Sequence, residues 1–265
     1  MSKEGQTSRY LYPTNAESSH VSHTIFELSS TSEGRRLGDC QIGAASPWTL
    51  DLLLQAWETA QADAAADFYH SVVGMPQAGS LRGRMFERQV LKCLDAIDSQ
   101  HTFSIRALSI STTERWIYPG PTQRFTFQSS TFTGALSAAI KQGKSLHLVP
   151  ADPNFHAVDS ILYDPSDVLT CIRTTVSDKH PVDVSGLQKI QRWLKKNTPG
   201  ESLRPSRQGK HWRFIFVVPS AMESTFGLQP FKGDTATQEW AGKVDQYVLG
   251  LEENTLFRRS ITRGF

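Results

Sequence analysis

Residues 155–180 read FHAVDSILYDPSDVLTCIRTTVSDKH, and this stretch decides the fold. Two β-rich runs, FHAVDSILY and VLTCIRTTV, stand either side of DPSD, where Asp and Pro supply the local hydrogen bonds and fixed φ that turn a chain. In the first run the alternating sets are Phe155, Ala157, Asp159, Ile161, Tyr163 and His156, Val158, Ser160, Leu162. Both sets are largely apolar, which predicts a strand covered on both faces. The preceding SLHLVP, residues 145–150, has the same character, so these three runs are expected at the centre of a sheet.

Two positions in this stretch do not suit a buried sheet. Asp159 falls mid-strand by the pattern, where propensity and burial both disfavour a carboxylate. In the second run Arg173 and Thr175 share one face, while Ile172, Thr174 and Val176 occupy the other. An arginine there would reach Asp159 or Glu87 and neutralise a buried acid, or grip a phosphate. Lys179 and His180 follow at the strand's end, where site residues of open α/β sheets gather.

On the N-terminal side, a helix is expected from about Leu81 to Asp98, with Phe86, Val90, Leu94 and Ile97 at helical spacing. Glu87 lies inside that apolar stripe, so it needs a cationic partner such as Arg84 or Arg88, a proton, or a polar cleft. An earlier long helix is expected from the Ser46-Pro47 start to Val73, closed by Gly74 and Pro76. HTFSIRAL, TERWIY and QRFTFQ read as a meander, and FTGALSAAIKQ as a helix stopped by Gly143.

On the C-terminal side come VSGLQKIQRWLKK, a helix with Leu187, Ile190 and Leu194 inward, and the apolar strand HWRFIFVVP. TQEWAGKVDQYVLGL reads as a helix or as a helix followed by a strand. The order predicts an α/β domain, a central mixed β-sheet flanked by helices with an added N-terminal helix. Residues 46–265 are assigned to it, and residues 1–45 to a loosely attached N-terminal segment.

Bulk properties exclude several classes. At 265 residues, 38% hydrophobic and 20% charged, the chain is neither fibrous nor disordered in composition. The opening MSKEGQTSRYLYPTNAESSH lacks the apolar run of a secretion signal or membrane span, so an intracellular protein, cytoplasmic or nuclear, is expected. Cys40, Cys93 and Cys171 have no metal-ligand spacing; Cys93 and Cys171 are expected in the core. The net charge of +2 is unevenly placed: Lys189, Arg192, Lys195, Lys196, Arg204, Arg207, Lys210 and Arg213 fall between 182 and 213 against only Asp183 and Glu201. Such a surface suits phosphate, and Trp193 and Trp212 nearby are candidates for stacking or for the core.

Four stretches, GRMFERQVLKCL, VPADPNFHAVDSILY, CIRTTVSDKHPVDVSGLQKI and QYVLGL, together resemble the nuclease-like domain of Crinkler and retrotransposon-hot-spot proteins of fungi and oomycetes. That domain is a branch of the PD-(D/E)xK restriction-endonuclease-like superfamily, and the resemblance spans roughly residues 80–251. It implies a restriction-endonuclease-like core and a magnesium-dependent nuclease site, with Glu87 and Asp159 as the metal-holding acids. Arg173 and Thr175 then stand where the superfamily has a carboxylate or glutamine and a lysine, with Lys179 as a migrated amine and His180 beside it. That last pair departs from the pattern, because arginine does not ligate a cation and threonine carries no charge.

Two readings follow from the resemblance. One is a magnesium-dependent endonuclease with a degenerate third motif, acting on DNA before RNA. The other is a catalytically inactive pseudo-nuclease or interaction module, an effector of Crinkler type delivered into a host cell and acting on a host protein. No GxxxxGK[ST] phosphate loop is present, so no coupled NTPase is expected within this chain.

Overall fold

Strands form where β-branched and aromatic residues alternate, and helices where apolar residues recur every third or fourth position. The computed structural model describes residues 26–30, 40–44, 52, 55, 62–75, 78–120, 122–152, 155, 157–166, 168–195, 198–232 and 237–257. The chain divides into two compact units, residues 1–82 and 83–265.

In the first unit, β1 (Phe26–Ser30) pairs antiparallel with β2 (Cys40–Ala44). Helix α1 covers Ala62–Val72, and its Tyr69 accepts a 3.3 Å hydrogen bond from Arg82. The Ser46-Pro47 start of the expected long helix lies outside the described residues, as does most of the 1–45 segment. Helix α2 (Gly79–Asp95) crosses the division between the units.

The second unit is an α/β domain built on one mixed sheet. Its strands are β3 (His101–Ala107), β4 (Thr113–Tyr118), β5 (Gln123–Phe127), β6 (Leu146–Pro150), β7 (Ser160–Tyr163), β8 (Thr170–Thr174), β10 (Trp212–Pro219) and β12 (Val244–Leu251). A separate two-stranded sheet joins β9 (Val182–Asp183) to β11 (Phe231–Lys232). The eight-stranded order is β4-β3-β12-β10-β8-β7-β6-β5. The neighbours β8, β10 and β12 run parallel, whereas β7 runs against β8 and β3 against β12. The carboxyl end of β8 and the amino end of β7 therefore share one edge.

Helices α3 (Phe132–Gln142) and α4 (Val184–Lys195) supply the crossovers from β5 to β6 and from β8 to β10. Gly143 ends α3 in the left-handed region, at φ 60°, and donates its N–H back to the last turn. Leu187, Ile190 and Leu194 of α4 are fully buried against alternate residues of the sheet, among them Cys171, Phe214 and Phe216. Each such burial contributes about 1.5–3 kcal/mol. The tail resolves as a short helix, α5 (Thr237–Ala241), followed by β12. Among the described residues no helix is long and apolar enough to cross a membrane.

Two sequence expectations need correction. QRFTFQ does not continue a meander: β3 and β4 form a hairpin, but β5 lies at the far edge, parallel to β6. The reason is α3, since a helix between two strands imposes a crossover and parallel pairing rather than a hairpin. The second correction concerns FHAVDSILY, whose strand begins only at Ser160. Residues 157–159 turn instead, and a Cβ on Gly186 at the start of α4 would sit 2.2 Å from the Ala157 Cβ. Asp159 is therefore an end-of-strand residue, not a mid-strand one.

Candidate functional site

Asp159 sits where β7 begins and β8 ends, held by its own N–H bonded to the Ile172 carbonyl at 2.9 Å. Its side chain is 6% exposed, and both carboxylate oxygens are engaged. Oδ1 accepts from Arg173 Nη1 at 2.6 Å; Oδ2 accepts from the Thr174 N–H at 2.6 Å and from Thr174 Oγ1 at 2.5 Å. An acid that looks anomalous in a strand pattern is thus the clasp that closes β7 onto β8. Three donors, one of them cationic, compensate the desolvation of the carboxylate.

Arg173 is gripped from a second side. Its Nε–H donates to His180 Nε2 at 2.8 Å. His180 is then the neutral imidazole with its proton on Nδ1. Burial, then the Arg173 charge, holds the His180 pKa below its usual value, against the opposing pull of Asp159. The His180 backbone N–H donates to Gln229 Oε1 at 2.6 Å, and the Gln229 amide donates to the Asp178 and Gly227 carbonyls at 3.0 and 2.9 Å. Gln229 is in turn locked to Gln246 of β12 by two hydrogen bonds, at 3.0 and 2.9 Å. The loop after β8 is therefore pinned to two other segments. Arg173 Nη2 makes no hydrogen bond among the described residues and is not one of the buried polar atoms lacking a partner. The Arg173 side chain is 18% exposed, with Asp159 and His180 holding its other two nitrogens.

Such a donor set does not fit a divalent cation. A magnesium site needs carboxylate oxygens with free lone pairs and no cation beside them. Here both Asp159 oxygens already accept hydrogen bonds, three in all, and one of the donors is a guanidinium at 2.6 Å. Glu87, on α2, is a quarter exposed and accepts from Arg84 at 3.3 Å, the ion pair anticipated for an acid in that stripe. On the same face of α2, one turn earlier, a Cβ on Gly83 would contact Val176 at 3.7 Å. Glu87 is not among the hydrogen-bond partners of Asp159, and no three acidic, histidine or cysteine side chains of the described residues gather to hold a metal ion. Thr175 is buried, with its hydroxyl turned to the Ser177 backbone, and Lys179 is exposed on the loop. Of the expected residues, the structure joins Asp159, Arg173 and His180 into one cluster.

No family model matches this chain, and neither do any curated protein or solved structure.

The basic stretch separates into two kinds of position. Lys189, Arg192 and Lys195 are exposed on α4 and line a groove of about 980 Å³, with Phe127, Phe155 and Trp193 as its aromatic wall. Arg204 pairs with Glu201 at 3.6 Å within its own loop, and Arg207 donates to the Gln238 carbonyl of α5 at 3.0 Å. Lys210 is exposed, Arg213 lies over the Tyr247 ring, and Lys196 lies outside the described residues. Trp212 is core, 1% exposed, with its indole N–H bonded to the Leu203 carbonyl at 2.7 Å.

A second polar cluster escapes the sequence pattern. His147, fully buried on β6, lies 3.3 Å from Asp95 at the end of α2, which also accepts from Arg124 at 2.5 Å. Burial tends to raise the Asp95 pKa, but the hydrogen bonds from His147 and Arg124 outweigh it and hold the carboxyl below its usual value. Beside it, burial pushes the Tyr118 hydroxyl up to about 12. His147 Nε2 has no hydrogen-bond partner among the described residues. The separation in sequence, 95, 124 and 147, left no local signal from which to find this group.

Proposed function

We propose that this chain is a nucleic-acid-binding domain of restriction-endonuclease-like type whose acid centre recognises phosphate and does not hydrolyse it. The observation carrying this reading is the Arg173 guanidinium, fixed by Asp159 at 2.6 Å and by His180 at 2.8 Å, on a side chain 18% exposed whose Nη2 makes no hydrogen bond among the described residues. A guanidinium whose orientation is already set loses little freedom when it binds a phosphate oxygen, and its fork suits that geometry. Asp159 sets the position of the cation, His180 directs it by accepting Nε–H, and Thr174 keeps Asp159 in place. The exposed cations of α4 add the sequence-independent attraction to a polyanion that such contacts give.

The test is incubation of the protein with plasmid, single-stranded DNA and RNA, with magnesium, with manganese and with chelator, alongside Glu87→Ala and Asp159→Ala. Binding is measured in parallel with Arg173→Gln. The expected result is retention without metal-dependent cleavage, and binding weakened about tenfold or more by Arg173→Gln. Cleavage that needs metal and is lost in both acid variants would show a working nuclease and overturn the proposal.

A further inference from the structure

We infer that the groove beside α4 holds an unpaired nucleobase, so that the preferred ligand is single-stranded nucleic acid. This deepens the nucleic-acid reading above and rests on it. The groove has an aromatic wall and a cationic rim. Trp193 is set by three phenylalanines: it stacks on Phe155 with ring centres 5.8 Å apart and 21° between planes, meets Phe127 edge-on at 5.9 Å, and tilts over Phe132 at 5.1 Å. The indole is held rigidly, yet it remains partly exposed and lines the groove. In contrast, Trp116, Trp212 and Trp240 are each at most 2% exposed. A pre-set aromatic surface stacks a base without first having to be ordered.

The charge around it calls for an anion. Lys189, Arg192 and Lys195 surround the groove, and among the described residues none of them is paired with an acid. One carboxylate, Asp152, the polar Gln128 and Ser129, and the small apolar Pro150 and Ala151 complete the lining. Three cations against one acid favour a polyanion, and the Gln128 amide and Ser129 hydroxyl offer hydrogen bonds to a base edge. The volume, about 980 Å³, lies at the upper end of small-ligand clefts and admits a ring with its sugar and phosphate. A base inside a duplex has both faces covered and cannot enter; an unpaired one can. This combination of planar wall and cationic rim is the reason a single strand is favoured over a double helix.

The test uses a fluorescein-labelled oligothymidylate and a duplex of equal phosphate number, titrated by anisotropy at low and moderate salt, with unlabelled heparin as a competitor lacking bases. Acrylamide quenching of tryptophan emission is followed in the same samples, comparing the unaltered protein with Trp193→Phe, which keeps a ring and its packing. A triple variant, Lys189→Gln, Arg192→Gln and Lys195→Gln, changes only exposed side chains. We expect the single strand to bind about tenfold tighter than the duplex and to shield a tryptophan that is missing in Trp193→Phe. In the triple variant affinity should fall and its salt dependence flatten. Equal binding of duplex and single strand, or full competition by heparin with no protection of Trp193, overturns the inference while leaving the nucleic-acid reading intact. No binding of either nucleic acid at low salt overturns both.

Discussion

Replacing Asp159 by asparagine keeps the volume and removes one charge. The carboxylate accepts three hydrogen bonds at 2.5–2.6 Å, and its side chain is 6% exposed. An asparagine in either orientation points its NH₂ at a donor: one flip faces it to Thr174 N and Oγ1, the other to Arg173. Removing one partner of a buried ion pair costs about 3–5 kcal/mol, because the remaining charge is left uncompensated. The Arg173 side chain is 18% exposed and can recover some water, so the value is reduced to about 2–4 kcal/mol. For a domain of this size that is a fall in Tm of about 5–15 °C. Urea denaturation of Asp159→Asn, Arg173→Met and the double variant completes a cycle. The double variant is expected to be more stable than the sum of the single effects by about 1.5–3 kcal/mol. Simple additivity, or an unchanged midpoint in Asp159→Asn, would refute the claim that this pair closes β7 onto β8.

Two further outcomes follow from the same geometry. Gly186→Ala is expected to destabilise by about 1–3 kcal/mol despite better helix propensity, since its Cβ would lie 2.2 Å from the Ala157 Cβ. The exposed Gly134→Ala in α3, with nothing within 4 Å of the added atom, should stabilise by about 0.5–1 kcal/mol; thermal melts that rank the two the other way would remove the close approach of α4 to residue 157. The pH dependence has a defined sign. His180 titrates below its usual value when folded, because of burial and then the Arg173 charge, so the unfolded chain binds more protons. Its contribution is complete above the unfolded value of about 6.5 and is lost as the pH falls through the lower folded value. His180→Gln should therefore flatten the loss of urea resistance between about pH 7 and pH 5, and an unaltered slope would exclude His180 as its source.

Much of the fold is legible in the sequence because burial writes period into it. The inward positions Leu187, Ile190 and Leu194 of α4 follow from spacing alone, as does the two-sided apolar run of β10 between parallel neighbours. Strand order is less legible: QRFTFQ has the pattern of a hairpin strand, and only the consequence of α3 for parallel pairing moves it to the far edge. Asp159 was visible as an anomaly, but its position at a strand end was not, because Gly186 pressing on Ala157 is a contact across 29 positions of sequence. Arg173 was readable as a cation for Asp159 or Glu87 or as a grip for phosphate, and the structure gives it Asp159 at 2.6 Å. His180 carried little signal by itself, and its role comes from Gln229 and Gln246, each remote from it. Glu87 shows the opposite case: its place in the apolar stripe was plain, and the partner it takes, Arg84, is local.

If Asp159 and Arg173 form the fixed cationic clamp proposed above, magnesium finds no site there. Calorimetric melting with and without millimolar magnesium separates a clamp from a metal site, because a cation that binds only the folded state raises Tm progressively once its concentration passes the dissociation constant. A clamp gives the same Tm at every magnesium concentration, in the unaltered protein and in Glu87→Ala. A rise in Tm with magnesium that disappears in both Glu87→Ala and Asp159→Ala would contradict it.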